Sequence, residues 1–370
     1  MRSRLSFPTI AFFTIAACGG SGTSAPPSSG SSPDGGGASD GTSSSEPVPV
    51  AGADATVTAF AKTPVYFAGS DNKRNVDAPV SFPATGAYQK IILHLSLDCP
   101  QGGCDPWDRF ASLGVVTQKA VAPATDDTVV EIQRFITPYH VGAKWDLDVT
   151  DLRPLLTGDV TLRAFIDTWV GPSNGGGWLL SASFEMKGGV PSPLPVAVIP
   201  VWTMRSAAYG DPAKPIAQSV PAAMLTLPAA SSYALRTFVT GHGQGNTGNC
   251  AEFCSRTHTL TAGATKHDAT VWRTDCPTTA APNQQGTWQY PRAGWCPGAD
   301  VHPWKVDVTA DIAASPTATF AYDVQTYDNT CRPDAVGACK GCTLGATCAY
   351  DDGNHTEPHY FVSSVLIAYR

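Results

Sequence analysis

Along most of this chain apolar and polar side chains alternate with a period of two. Leu93, Leu95 and Leu97 are separated by His94 and Ser96, and Phe320, Tyr322 and Val324 by Ala321 and Asp323. In an extended strand successive side chains point to opposite faces, so each run predicts a strand with one face in a core and one toward water. Stretches with the 3.6-residue period of a helix are scarce, while 35 glycines and 31 prolines punctuate the chain at short intervals. The pattern predicts an all-β protein. It also repeats: WDLDVT at 145–150 matches WKVDVT at 304–309, and a little further on TLRAFIDTW (161–169) lines up with TFAYDVQTY (319–327). Two short matches at nearly constant offset point to a duplicated β-sandwich. The Pro-rich GGVPSPLP at 188–195 separates the copies. The reading is therefore a first domain over 54–190 and a second over 191–370, each of stacked sheets of jelly-roll type, with a site where they meet.

The N-terminal segment departs from this pattern. Arg2 and Arg4 precede an apolar stretch from Leu5 to Ala17, too short for a permanent membrane span, which predicts an export signal. Its end, Ile15-Ala16-Ala17-Cys18, resembles a bacterial lipobox, in which cleavage before the cysteine leaves that cysteine to receive lipid. Residues 1–18 are read as a lipoprotein signal and Cys18 as the lipidation site. Residues 19–53 are nearly all Gly, Ser, Pro, Ala and Asp, too poor in apolar surface to offset the entropy of ordering. Such a tether of roughly 35 residues spans on the order of 30 to 35 Å by random-coil scaling. The expected location is the bacterial cell envelope, at the outer membrane or cell surface, with the lipid as the only membrane contact. A net charge of −7 without a basic cluster argues against a nucleic-acid partner. A monomer is the expectation.

Setting Cys18 aside leaves ten of the eleven cysteines, an even number suited to an oxidising compartment. Cys99 lies near Cys104, Cys250 near Cys254 and Cys276 near Cys296, which suggests three local bridges. Cys331, Cys339, Cys342 and Cys348 allow three disulfide connectivities, or a zinc site through Cys339 and Cys342, and export favours two disulfides. Two tight cysteine loops carry acids. In CAEFC (250–254) the staple either aims Glu252 at a substrate or closes a surface turn that happens to hold an acid. In CPQGGCDPWDRF (99–110) the loop leads into Asp105, Trp107, Asp108 and Arg109, where Asp108 and Arg109 form either a functional pair, a solvated ion pair or, with Asp98 and Asp105, a calcium site. If 161–169 is one strand, Arg163, Phe165, Asp167 and Trp169 share a face opposite Leu162, Ala164 and Ile166. An acid beside an indole suits a pyranose, whose apolar face the ring covers while the acid takes its hydroxyls.

CDPWDRF (104–110), QRFITPYHVG (133–142), DVTDLRPLLTGD (148–159), GNCAEFCSRTHT (248–259) and PRAGWCPG (291–298) occur in an order that resembles the peptide:N-glycosidase F family, bacterial amidases that remove asparagine-linked glycans. The resemblance runs from about residue 57 to the C-terminus and implies two eight-stranded antiparallel jelly rolls side by side. It implies that Asp108 is the principal catalytic acid, Glu252 the second, and Asp167 a third, with Arg109, Trp107, Trp169 and Arg292 facing substrate. It also implies the bridges Cys99–Cys104, Cys250–Cys254 and Cys276–Cys296. Three departures stand out. Asp167 occupies a family glutamate position and is one methylene shorter. His242-Gly243-Gln244 stands where the family has Trp-Gly-His, leaving His242 or Gln244 for the usual histidine. The stretch 331–355 is an insertion with its own cysteines.

The implied reaction is hydrolysis of the amide between asparagine and the innermost N-acetylglucosamine of an N-linked glycan, giving aspartate and a glycosylamine, with no metal or other cofactor. N-linked glycoproteins or glycopeptides are the expected partners. Asp108 would activate water, Glu252 would share the proton traffic or hold that water, and Arg109 and Arg292 would offer charge-assisted donors. The alternative is a glycan-binding surface lipoprotein of the same fold with weak or no catalysis. HTEPH (355–359), with two histidines four apart, also resembles copper sites of tandem jelly-roll monooxygenases, although Pro358 disfavours a helical ligand pair.

Overall fold

The computed structural model describes residues 48–171, 176–333, 335, 342, 349–351 and 355–370. The expected signal, Cys18 and the tether up to residue 47 lie outside the described residues, as do Cys339 and Cys348. Among the described residues no helix is long and apolar enough to cross a membrane.

Ten strands come first: β1 (Ala55–Val65), β2 (Phe67–Ala68), β3 (Asp71–Asn72), β4 (Asn75–Phe82), β5 (Tyr88–Asp98), β6 (Phe110–Gln118), β7 (Thr128–Ile136), β8 (Ala143–Asp148), β9 (Gly158–Ile166) and β10 (Trp178–Gly188). Eight follow: β11 (Pro195–Ala208), β12 (Ala223–Thr226), β13 (Ser232–His242), β14 (Thr257–Ala262), β15 (Thr265–Thr270), β16 (Trp304–Asp307), β17 (Thr317–Val324) and β18 (His359–Tyr369). The ladders among them are antiparallel and build four-stranded sheets in the orders β1-β10-β5-β8 and β4-β9-β6-β7, then β11-β18-β13-β16 and β12-β17-β14-β15.

Leaving the small β2–β3 ribbon aside, each half contributes eight strands, paired as first-eighth-third-sixth in one sheet and second-seventh-fourth-fifth in the other. The two halves therefore share one topology, the two-sheet jelly-roll sandwich. The sequence echo falls on equivalent strands: WDLDVT and WKVDVT start in the sixth strands β8 and β16, and the second match covers the seventh, β9 and β17. The last strand of the first sandwich ends at Gly188 and the first strand of the second begins at Pro195.

Burial follows the period-two pattern. Leu93, Leu95 and Leu97 are sealed in the core of the first sandwich, and Phe320, Tyr322 and Val324 in that of the second. Each such side chain contributes on the order of 1.5–3 kcal/mol by leaving water. In β9 the core face of Leu162, Ala164 and Ile166 is fully buried. The expected strand over 161–169 stops at Ile166, however, so Asp167 and Trp169 lie beyond it. The Asp167 N–H still reaches the Phe110 carbonyl at 2.9 Å, but Thr168 turns inward and donates its hydroxyl to buried Asp105 at 2.6 Å. That inward bond prolongs the alternation past the end of the ladder, with Thr168 buried between half-buried Asp167 and exposed Trp169.

Order also begins earlier than residue 54. The Ala87 N–H donates to Val50 O at 2.8 Å and the Gly52 N–H to Ala87 O at 2.9 Å, a short bridge onto the first sandwich. Gly52 permits it, because a Cβ there would sit 2.5 Å from the Tyr88 ring.

The two sandwiches are joined along β7. Its Ile136 N–H donates to Ala299 O at 3.0 Å, and the Val301 N–H donates back to Arg134 O at 2.8 Å. The fully buried Arg134 guanidinium pairs with Glu131 at 2.8 Å and donates across to Thr240, the Phe361 carbonyl and Ser363. Phe110 and Ile136 of the first half pack there with Phe238, Trp295 and Val301 of the second. Residues Val48–Arg370 are accordingly one compact unit.

Candidate active site

Three stapled loops meet at this seam. The first leaves β5, is closed by the Cys99–Cys104 disulfide and delivers Asp108 just before β6. The second follows β13 and is closed by Cys250–Cys254 around Glu252. The third carries Arg292 and is anchored by Cys276–Cys296. All three expected bridges are present. Short cross-linked loops lose little freedom on ordering, so their side chains are held at a fixed angle. Backbone bonds fix the loops to one another: the Ala293 N–H donates to Glu252 O at 2.9 Å and the Gly241 N–H to Ala293 O at 2.9 Å. Gly294, at φ +83°, makes the turn after Arg292, and a Cβ there would lie 2.3 Å from Val239 O.

Arg292 is the centre of the arrangement. Its Nε donates to Glu252 at 3.2 Å, and one terminal nitrogen lies 3.9 Å from Asp108. The remaining donors go to the Thr287 carbonyl (3.0 Å), the Tyr290 carbonyl (3.1 Å) and the Thr287 hydroxyl (3.0 Å). The guanidinium is also stacked over Phe253 and Trp295 and is 1% exposed. Expected to face substrate, Arg292 is instead sealed from solvent, with four hydrogen bonds to the protein and an ion pair to Asp108 at 3.9 Å. The carboxylates themselves remain open, with side chains 17% exposed for Asp108 and 15% for Glu252.

Burial and the nearby Asp108 charge push the Glu252 carboxyl up to about 8, against the pull of Arg292 and of a bond from the Gly243 N–H. Asp108 is also raised, chiefly by burial, with Arg292, a hydroxyl bond from Tyr139 and Arg109 acting the other way. Raised to about 8, Glu252 keeps its proton at neutral pH, and the two carboxyls titrate as a coupled pair. Tyr139 was not singled out from sequence although it lies in the ITPYHVG stretch. It is buried, its own ionisation raised by burial and by Asp108, and it also bonds to Thr287.

Arg109 takes a supporting position. Its Nε donates to fully buried Asp105 at 2.9 Å, and its backbone N–H to Thr137 at 2.8 Å. Asp105 also accepts the Trp107 N–H at 3.0 Å and the Thr168 hydroxyl, so one buried acid organises both loops that carry the acids of the first sandwich. The calcium alternative for Asp98, Asp105 and Asp108 does not fit, because Asp105 is consumed by these bonds.

Asp167 pairs with Arg74 at 3.3 Å, and the Arg74 guanidinium lies 4.4 Å over the Trp169 ring and 4.9 Å over Phe67. Burial raises the Asp167 carboxyl, offset by Arg74 and Arg109. Nothing in the sequence marked Arg74, which is 93 residues from its partner. Trp107 and Trp169 are 58% and 54% exposed.

His242 does not stand free in the site. Its Nε2 bonds Thr240 at 2.9 Å, its ring stacks on Trp295 and His359, and burial holds it neutral. Gln244 is half-buried, its backbone clasped by Thr356. The two histidines of HTEPH separate: buried His355 bonds Asn246 at 3.1 Å, and His359 bonds the Glu357 carbonyl at 2.9 Å. Among the described residues no three His, Cys, Asp or Glu side chains converge as a metal site. Cys331 is bridged to Cys342, which removes Cys342 from the zinc alternative.

Fold and site together define a tandem jelly-roll protein with two carboxylates on stapled loops around one buried arginine. The chain belongs to the peptide-N-glycosidase F family: residues 118–185 match the family's N-terminal domain and 213–367 its C-terminal domain. It is 32% identical over 277 residues to the peptide-N(4)-(N-acetyl-beta-D-glucosaminyl)asparagine amidase F of Elizabethkingia miricola, covering 70% of this chain and 75% of that one. It is also similar to the structure of PNGase F, a glycosylasparaginase from Flavobacterium meningosepticum, with TM-score 0.67 and 25% identity over 85% of this chain and 96% of that one. PNGF-II shares the fold, with TM-score 0.61 and 17% identity over 85% of this chain and 65% of that one.

Proposed function

We propose that this chain is an N-glycan amidase that hydrolyses the bond between an asparagine side chain and the innermost N-acetylglucosamine, leaving aspartate and a glycosylamine. The observation that carries the reading is the pair Asp108 and Glu252, drawn from different sandwiches and held by one buried arginine, with burial and the Asp108 charge raising Glu252 to about 8 against that arginine. Two carboxyls pushed apart in this way supply a base and an acid at one pH. Asp108, the ionised partner, takes a proton from the attacking water. Glu252, still protonated, gives its proton to the departing nitrogen.

Tyr139 and Arg292 steady the Asp108 charge, while Trp169 and Trp107 present faces to the inner sugars and Asp167 accepts their hydroxyl hydrogens. Substrates would be N-linked glycoproteins or glycopeptides, met by an exported monomer held at the envelope through Cys18. Fatty-acid labelling that persists in a Cys18→Ala variant would exclude that anchor.

The test of the reaction is mass spectrometry of a defined N-glycopeptide incubated with the purified protein in ¹⁸O-water, beside Asp108→Ala. Release of the whole glycan with heavy oxygen in a new aspartate, lost in the variant, is the expected result. A glycopeptide that is retained but never cut would replace the amidase by the glycan-binding alternative.

A further inference from the structure

The outer face of the sheet β4-β9-β6-β7 continues beyond the inner-sugar residues. Along β9 the half-buried Phe165 and Arg163 lie on the face opposite the sealed Leu162, Ala164 and Ile166. Arg163 is three residues, roughly 10 Å, back from the strand end at Ile166 that leads into Asp167. Asn75, directly after Arg74 and paired in register with Phe165, is exposed beside them. These residues floor a cleft of about 530 Å³ whose opposite wall comes from the second sandwich, as Thr203, Met204 and Arg205 of β11.

That wall is built by an irregularity. Between Trp202 and Arg205 β11 spends three residue steps while its partner β18 spends two, from Ser364 to Val362. The extra residue is a β-bulge, a device that re-aims side chains and is common beside functional sites. Here it leaves Met204 43% exposed. Arg205 is exposed and makes no hydrogen bond or ion pair among the described residues. An exposed apolar side chain and an uncommitted five-donor cation stand opposite a phenylalanine and an exposed amide.

We propose that this cleft is a second glycan subsite, which takes the neutral hexoses beyond the two inner sugars of the same N-glycan. The proposal rests on the amidase reading for its substrate, and on the cleft alone for its location. Three acids line it, Asp126, Asp127 and Glu131, against two arginines, Arg163 and Arg205. Arg163 is already held by Asp77 at 2.6 Å and Asp127 at 2.7 Å, and Glu131 by Arg134 at 2.8 Å. Lys119 also pairs with Asp77 and Asp127 at 3.1 Å, so four acids (Asp77, Asp126, Asp127, Glu131) meet four cations (Lys119, Arg134, Arg163, Arg205) and the cleft holds no excess positive charge for an anionic sugar. Arg205 and Asn75 supply donors for hydroxyls, and Phe165 and Met204 supply the apolar contact that the carbon face of a hexose needs.

Two measurements on the purified full chain test the subsite. Calorimetric titration of the Asp108→Ala protein with free neutral oligomannose glycan, and with the chitobiose disaccharide, reads binding without turnover. Adding Met204→Ala and Arg205→Ala should weaken oligomannose relative to chitobiose by about tenfold, the loss expected for one charged hydrogen bond plus an apolar contact. In the otherwise native protein the same pair should raise KM for an oligomannose glycopeptide relative to a chitobiose glycopeptide by a similar factor. Equal changes for both ligands, or none, would overturn the subsite. Tighter binding of a sialylated glycan than of oligomannose would overturn its assignment to neutral hexoses. A native protein that cuts neither glycopeptide defeats the amidase reading instead, and the titration still decides the cleft.

Discussion

Replacing Glu252 by Gln removes a titrating group while keeping the size of the side chain. In the folded protein Glu252 holds its proton up to about 8, against an ordinary value of 4.5. Because the folded pKa is the higher one, the stability associated with this proton is fully present below pH 4.5 and is lost as pH rises to about 8. Across that window the folded state binds up to one more proton than the unfolded state. Stability should fall by about 1.4 kcal/mol per pH unit, for a total near 5 kcal/mol as an upper bound. The glutamine variant has no such proton, so the difference between the two proteins reports Glu252 together with its coupling to Asp108. The assay is urea unfolding followed by tryptophan fluorescence, disulfides intact, at intervals from about pH 5 to 9. The expected difference curve declines between about pH 5 and 8 and is flat above. A flat curve throughout would mean that Glu252 does not hold its proton in the fold. A curve rising with pH would mean that Arg292 stabilises an ionised Glu252, and the acid–base assignment would have to be reversed.

The same electrostatics set the pH–rate profile. Activity should rise as Asp108 ionises and fall as Glu252 deprotonates near 8, and Arg292→Lys, which loosens the charge that restrains Glu252, should move the alkaline limb upward, read from kcat/KM against pH. Arg74→Ala should raise KM about fivefold by releasing Asp167 and Trp169, and Arg74→Lys should not restore it, since only a planar guanidinium stacks on the indole; a lysine variant as good as wild type would refute the stacking. Arg134→Ala strands the Glu131 carboxylate at the seam and should cost about 3–5 kcal/mol in denaturant unfolding, because a buried partner is left without its charge.

Much of the architecture was legible because it is encoded locally. Leu93, Leu95 and Leu97 announce a half-buried strand whatever lies above them, and the WDLDVT and WKVDVT echo marks the same position in two copies of one topology. The three stapled loops were legible too, two of them because a cysteine four or five positions from another has few other partners, and the third, 20 positions apart, because the family resemblance implies it. The end of β9 was not. The alternation of inward and outward side chains runs on through Trp169 in the structure too, and only the backbone ladder stops, at Ile166. Arg292 was read as facing substrate because sequence carries its charge and not the Thr287 and Tyr290 carbonyls that consume its donors.

Sequence alone therefore determined the fold class, the internal duplication, the cysteine staples and the acids they carry, because periodicity, spacing and residue chemistry act within a few residues. It could not determine which groups meet. Asp108 and Glu252 stand 144 positions apart (252 minus 108), and their common contact with Arg292 exists only after the two sandwiches have docked. The protonation of the pair, the Arg74 stack on Trp169 and the cleft opened by the bulge in β11 depend on burial, on fields from distant charges and on the stacking of one sheet against another. Those quantities are set by the packing of the whole chain, and tertiary structure alone decides them.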